Sequence, residues 1–113
     1  MLVHPAVLED FTAYNDFLGL AEHLLRERGC EGVIQLASFH PDYRFADAPP
    51  DDPANWTNRS PYPMLHLLRE QSVADALSAY PGDPASIPAA NVARMRREGA
   101  EVAASAVQRC REV

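Results

Sequence analysis

The chain has 113 residues, 47% of them hydrophobic and 23% charged, with a formal net charge of −6. These values predict one small globular domain spanning residues 1–113. All ten basic residues are arginine, which excludes a Schiff-base lysine, a phosphate-loop lysine and a lysine general base. Residues 1–93 carry a charge of about −8, which argues against nucleic-acid binding.

The sequence contains no signal for export or membrane insertion. No stretch approaches the roughly 18 apolar residues that a membrane span needs, and the first residues lack the pattern of a signal peptide. Cys30 and Cys110 have no metal-ligand spacing and are expected to be reduced thiols. We therefore expect a cytoplasmic protein that does not bind membranes.

The first third of the chain predicts a strand, a helix and a second strand. The short apolar run "MLVHP" and the buried run "VIQLASF", residues 33–39, both stop at a proline. Between them, apolar residues recur at spacings of three and four: Phe11, Tyr14, Leu18, Ala21 and Leu25. This spacing predicts a helix with one apolar face, and Gly29 is placed to end it. The three elements form a βαβ unit, so we expect two parallel neighbouring strands.

Residues 41–63 hold six of the ten prolines and show no periodicity. Because the segment also contains aromatic anchors, we expect a long ordered loop. Ser60 is placed to cap a helix through "YPMLHLLRE", residues 62–70, and Ser72 begins a capping box for the next helix. Pro88 suits the first turn of a third helix, which Gly99 ends or interrupts.

The predicted fold is therefore a small α/β domain. A βαβ unit with few parallel strands precedes the long ordered loop and three or more C-terminal helices. Two strands are too few for a stable sheet, and the chain opens in mid-strand. We expect either a missing N-terminal segment or self-association to complete the sheet.

Residues 36–70, "LASFHPDYRFADAPPDDPANWTNRSPYPMLHLLRE", resemble an uncharacterised bacterial family, domain of unknown function 1415. The resemblance lies in Ser-Phe-His-Pro-Asp-Tyr, the Asp-Asp pair, Thr-Asn-Arg-Ser-Pro-Tyr-Pro and Leu-His-Leu-Leu-Arg-Glu. The opening "LVHP" and the later "DFTAYNDFL" fit as well, so the resemblance covers residues 2 to about 99. It implies a member without the family's N-terminal strand and Asn-Leu-Cys-Pro-Phe motif, and it implies no established activity.

His4 and His40 each stand directly before a proline at the end of a predicted strand. In parallel neighbouring strands, both imidazoles would emerge at the carboxyl edge, where open α/β sheets bind ligands. We therefore predict His40 as a general acid or base oriented by Asp42. In the structural alternative, the proline ends the strand and each histidine hydrogen-bonds a loop carbonyl.

His66 and Glu70 are four residues apart and would share one face of the helix predicted over residues 61–70. Together with His4 and His40, they form a candidate site for a divalent transition metal. The alternative is a solvated helix flank with an internal hydrogen bond.

The stretch "TNRSPYP" places an amide, a guanidinium and a hydroxyl next to the predicted helix start. Asn58, Arg59 and Ser60 are therefore candidates to bind a carboxylate or phosphate, with Arg59 making a bidentate contact. In the structural alternative, Arg59 pairs with Asp51 or Asp52.

Three functions compete, and the sequence does not decide whether the protein is an enzyme. The first is binding of a small anionic molecule, or acid/base catalysis on it, at the strand ends, with Tyr43 also contacting the ligand. The second is a metal-dependent hydrolase that uses His4, His40 and His66, with Asp42 or Glu70 as the carboxylate. The third is a non-catalytic fragment whose polar residues only stabilise the long loop.

Overall fold

The computed structural model describes residues 1–112. In this range the strands are β1 (Leu2–Val3), β2 (Ile34–Phe39) and β3 (Met64–Arg69). The helices are α1 (Phe11–Glu27), α2 (Glu70–Ala79), α3 (Ser86–Glu98) and α4 (Ala100–Arg111), and a 3₁₀ helix spans Pro53–Thr57. No helix within residues 1–112 is long and apolar enough to cross a membrane.

The sheet has the order β1-β3-β2, and both pairings are antiparallel. Leu2 lies opposite Leu65 in β3, and Phe39 lies opposite Met64. The predicted βαβ unit with parallel neighbouring strands is therefore wrong, because β3 separates β1 from β2. Since both outer strands are antiparallel to β3, they still run in the same direction, and their carboxyl ends lie at the same edge.

The helix predicted over residues 61–70 is also wrong, because residues 64–69 form the central strand. A short apolar run such as "MLHLL" fits a helix or a strand equally well by periodicity. Tertiary pairing decides between them: in β3, the main-chain groups hydrogen-bond two neighbouring strands. Pro63 precedes the strand and is buried.

Local sequence signals define α1 as expected. Asp10 is the N-cap, and its carboxylate accepts a hydrogen bond from the Ala13 N–H at 2.9 Å. Gly29 follows the C-cap with φ +71°, the left-handed conformation that glycine adopts at little cost. The predicted strand at residues 33–39 is confirmed as β2.

Three helices follow the sheet. α2 begins at Glu70, before the predicted Ser72 capping box, and no side chain among the described residues caps its N-terminus. Gly99, at φ +86°, separates α3 from α4, as its position in the sequence indicated. α3 packs against the 3₁₀ helix of the long loop, which orders that loop.

Tyr14 is the largest apolar residue of the core and is fully buried. Its hydroxyl donates to the Met64 carbonyl at 2.6 Å and accepts from the Phe39 N–H at 3.0 Å. It thereby connects α1 to the last residue of β2 and the first residue of β3. Burial raises the pKa of Tyr14, the Phe39 N–H acts in the opposite direction, and Tyr43 adds a smaller increase.

Candidate functional site

His40 is completely buried at the end of β2. One ring nitrogen, Nε2, lies 3.0 Å from the Leu8 carbonyl, and the other, Nδ1, lies 3.0 Å from the Asp42 N–H. Because a carbonyl only accepts and an N–H only donates, these partners require the neutral tautomer with the proton on Nε2. Both nitrogens are thus engaged by main chain, as the structural alternative requires. The catalytic role of His40 with Asp42 stays a prediction.

His4 lies at the same edge of the sheet as His40. Its Nδ1 donates to the Val7 carbonyl at 2.9 Å, whereas its Nε2 is buried without a partner among the described residues. The rings of His4 and His40 flank Tyr14, at centroid distances of 6.3 and 4.9 Å. The structure therefore brings the two histidines to one edge, with the tyrosine ring beside both.

His66 and Glu70 do not share a helix face. His66 is in β3 opposite Ala37, and Glu70 is the first residue of α2. Within residues 1–112, no three His, Cys, Asp or Glu side chains are grouped as metal ligands. The helical geometry expected for this metal pair is therefore wrong, and the metal assignment remains a prediction.

The predicted anion-binding residues contact main chain, and their role in binding an anion stays a prediction. Asn58 donates to the Ser38 carbonyl at 3.2 Å, and the Ser60 hydroxyl donates to the Tyr62 carbonyl. Arg59 donates to the carbonyls of Tyr43 and Pro50 at 3.0 and 3.1 Å. These contacts tie the two ends of the long loop to β2 and to each other.

The Arg59 side chain also packs on an aromatic ring. Its guanidinium lies 4.7 Å from the centre of the Trp56 ring. Partial burial lowers its pKa, and the Asp42 carboxylate acts in the opposite direction. Within residues 1–112, Arg59 does not form the ion pair with Asp51 or Asp52 that the structural alternative gave it, and Asp52 pairs with Arg96.

Asn55 anchors the loop, although no motif in the sequence distinguished it as a candidate. Its side chain is fully buried, accepts from the Phe45 N–H at 3.0 Å and donates to the Pro49 carbonyl at 2.8 Å. Asparagine is common in turns, so only the buried position distinguishes this residue.

A cavity of about 330 Å³ lies where the sequence predicted a site, beside the prolines that follow His4 and His40. Its charged lining residues are Glu9, Asp42 and Arg111. The Arg111 Nε donates to the Pro61 carbonyl at 2.7 Å. Because carboxylates outnumber guanidiniums in its wall, this cavity is poorly suited to an anion.

A larger cavity of about 600 Å³, the loop–α3 cleft, lies between the long loop and α3. Its apolar wall consists of Phe45, Pro88, Ala89, Val92 and Ala93. Its polar lining consists of Thr57, Asn58, Asn91 and Arg96. The size and the mostly apolar wall are typical of a small-molecule site.

Two polar side chains of the cleft, Thr57 and Arg96, differ in their hydrogen bonding. The Thr57 hydroxyl oxygen is buried and has no hydrogen-bond partner in the described part of the chain. Arg96 makes a two-point contact with Asp52, from Nη2 at 3.1 Å and from Nε at 3.5 Å. The hydrogen bonds from Arg96, and then from the Ala54 N–H, hold the pKa of Asp52 below its usual range.

Comparison with known proteins identifies the family. Neither the curated proteins nor the solved structures include a significant match to the chain. A family model described as "Protein of unknown function (DUF1415)" matches residues 1–105. The match includes both strand-end histidines and the whole long loop, so it supports the resemblance read from the sequence motifs. The chain therefore belongs to the DUF1415 family of proteins of unknown function.

Proposed function

We propose that the protein binds a small molecule with an apolar body and an anionic group in the loop–α3 cleft. The observation that carries this proposal is the cleft itself, a cavity of about 600 Å³ whose wall is apolar apart from four side chains. In such cavities the apolar wall provides affinity, and the few polar groups orient the ligand.

Arg96 supports the assignment of an anionic group. It is the only charged residue among the described residues that line the cleft. Its side chain is 59% exposed, so a ligand can reach it. Its two-point contact with Asp52 shows the geometry in which a guanidinium binds a carboxylate.

The Thr57 hydroxyl supports a ligand with a polar group beside its apolar part. A buried hydroxyl without a partner costs about 1–3 kcal/mol. If the Thr57 side chain rotates toward the cleft that it lines, a ligand atom that hydrogen-bonds the hydroxyl would recover part of that free energy on binding. Asn58 uses its amide nitrogen for the Ser38 carbonyl, so it is less available to a ligand.

The composition of the cleft supports binding rather than acid/base catalysis. The described residues that line it include no histidine, cysteine, aspartate or glutamate, which are the usual proton donors and acceptors in active sites. The anionic-ligand hypothesis from the sequence is thus retained with a different location. Arg96 replaces Arg59 as the recognising cation.

The proposal is tested by thermal unfolding with 3-phenylpropanoate and other apolar carboxylates. At ten times its Kd, a ligand stabilises the protein by about 1.4 kcal/mol, or about 6 °C for a domain of this size. Ala89→Trp, which fills the cleft, is expected to abolish the shift. Ala90→Trp is the control, because Ala90 is exposed on α3 outside the cleft.

A second pair of variants tests the anionic contact. Arg96→Gln is expected to weaken carboxylate binding. Arg94→Gln is the matched control, because Arg94 is ion-paired with Glu98 on the same helix and does not line the cleft. A shift that persists in Ala89→Trp, or no shift with any apolar carboxylate at millimolar concentration, would contradict the proposal.

A further inference from the structure

We infer that the ligand of the loop–α3 cleft is a zwitterion, an apolar amino acid or a molecule with the same adjacent carboxylate and ammonium groups. This inference rests on the proposed function. A second cavity of about 270 Å³, the acidic chamber, provides the new observation. Phe45, Val92 and Arg96 line both cavities, so Arg96 lies at their common boundary.

The acidic chamber contains two carboxylates, Asp47 and Asp52. Asp52 is engaged, because its side chain, 14% exposed, contacts Arg96 and the Ala54 N–H. Asp47 is exposed and makes no side-chain hydrogen bond or ion pair within residues 1–112. One guanidinium therefore lines the acidic chamber together with two carboxylates.

This charge balance disfavours a simple anion. A carboxylate that binds Arg96 competes with Asp52 and brings a third negative charge to a region with one positive charge. Like charges at close range repel each other, most strongly where the groups are partly shielded from water. The anion would also leave Asp52 without its cation.

A zwitterion avoids both the added repulsion and the loss of a cation beside Asp52. Its carboxylate binds Arg96 at the boundary, and an ammonium group one carbon away reaches into the acidic chamber. There the ammonium takes the place of Arg96 beside Asp52 and gives Asp47 a partner. The apolar side chain then occupies the larger cleft, whose wall matches it in chemistry.

Three ligands with the same phenyl group test the inference by calorimetric titration of the whole chain: L-phenylalanine, 3-phenylpropanoate and 2-phenylethylamine. L-phenylalanine is expected to bind about fivefold tighter than 3-phenylpropanoate, the upper range for a partly exposed ion pair. Asp47→Asn is expected to reduce that advantage, because only Asp52 then remains beside the ammonium, and to leave 3-phenylpropanoate binding unchanged or tighter. Asp51→Asn is the control, because Asp51 is exposed and lines neither cavity.

The outcomes separate the inference from the proposed function. Equal affinities for L-phenylalanine and 3-phenylpropanoate would overturn the zwitterion and leave the anion proposal standing. An amine that binds as tightly as L-phenylalanine would overturn both, because Arg96 would then contribute nothing. No binding by any of the three ligands would also overturn both.

Discussion

Replacing Tyr14 with phenylalanine removes one hydroxyl from the point where α1, β2 and β3 meet. That hydroxyl hydrogen-bonds the Phe39 N–H and the Met64 carbonyl. An unpaired buried polar group costs about 1–3 kcal/mol, and two groups are left here. Because Phe39 and Met64 face each other across the strands, they can partly pair again. We therefore expect a loss of about 2 kcal/mol, or about 8 °C in Tm.

Urea unfolding followed by circular dichroism measures this loss. Tyr43→Phe is the control, because the Tyr43 hydroxyl makes no hydrogen bond within residues 1–112, and it is expected to change stability by less than about 0.5 kcal/mol. If Tyr14→Phe costs no more than the control, the hydroxyl does not hold the strands together and the reasoning is refuted.

The raised pKa of Tyr14 adds a pH dependence. Between its ordinary pKa of 10.0 and its higher folded value, the unfolded state ionises while the folded state stays neutral. Wild-type stability therefore falls as pH rises above about 10. The difference between wild type and Tyr14→Phe is expected to shrink over that range.

Three further predictions follow from the buried and ion-paired polar residues. His40→Ala removes a buried ring and leaves its two main-chain partners unpaired, so it is expected to cost about 3–4 kcal/mol in urea unfolding. It is not expected to change the metal content measured by mass spectrometry. About one metal per wild-type chain, lost in the variant, would instead support the hydrolase hypothesis. Asn55→Ala is expected to release the long loop, seen as faster proteolysis within residues 41–63, and unchanged cleavage would show that other contacts hold it. The folded state lowers the pKa of Asp52, so the stabilising effect of this carboxylate is full above the ordinary pKa of 3.8 and is lost as the pH falls through the folded pKa. Unfolding measured at decreasing pH is expected to show this loss of stability in the wild type and not in Asp52→Asn.

Much of the secondary structure could be predicted because the signals are local. The helix α1 is defined by the spacing of its apolar residues, by the N-cap Asp10 and by Gly29 after its C-cap, whatever the helix packs against. Gly99 separates two helices because few other residues adopt its backbone conformation at low cost. The run before His40 has too few residues for a stable helix and enough β-forming residues for a strand.

The candidate site could be predicted only in part. The edge shared by His4 and His40 was expected, and it holds for a different reason, since β1 and β2 are parallel in direction without being neighbours. Arg96 and Thr57 were not candidates, because α3 and the 3₁₀ helix are brought together by tertiary packing. No motif in the sequence connects Thr57 with Arg96, 39 positions later.

By itself, the sequence determined the family, the helices that begin and end at strong local signals, and the strand ends marked by prolines. The helix ends and strand ends depend on backbone preferences within a few residues. Only the tertiary structure decided that residues 64–69 are a strand, because a short apolar run takes the conformation that satisfies its neighbours' hydrogen bonds. It also decided which polar residues stabilise the loop and which line a cleft, since that depends on burial and on partners distant in sequence.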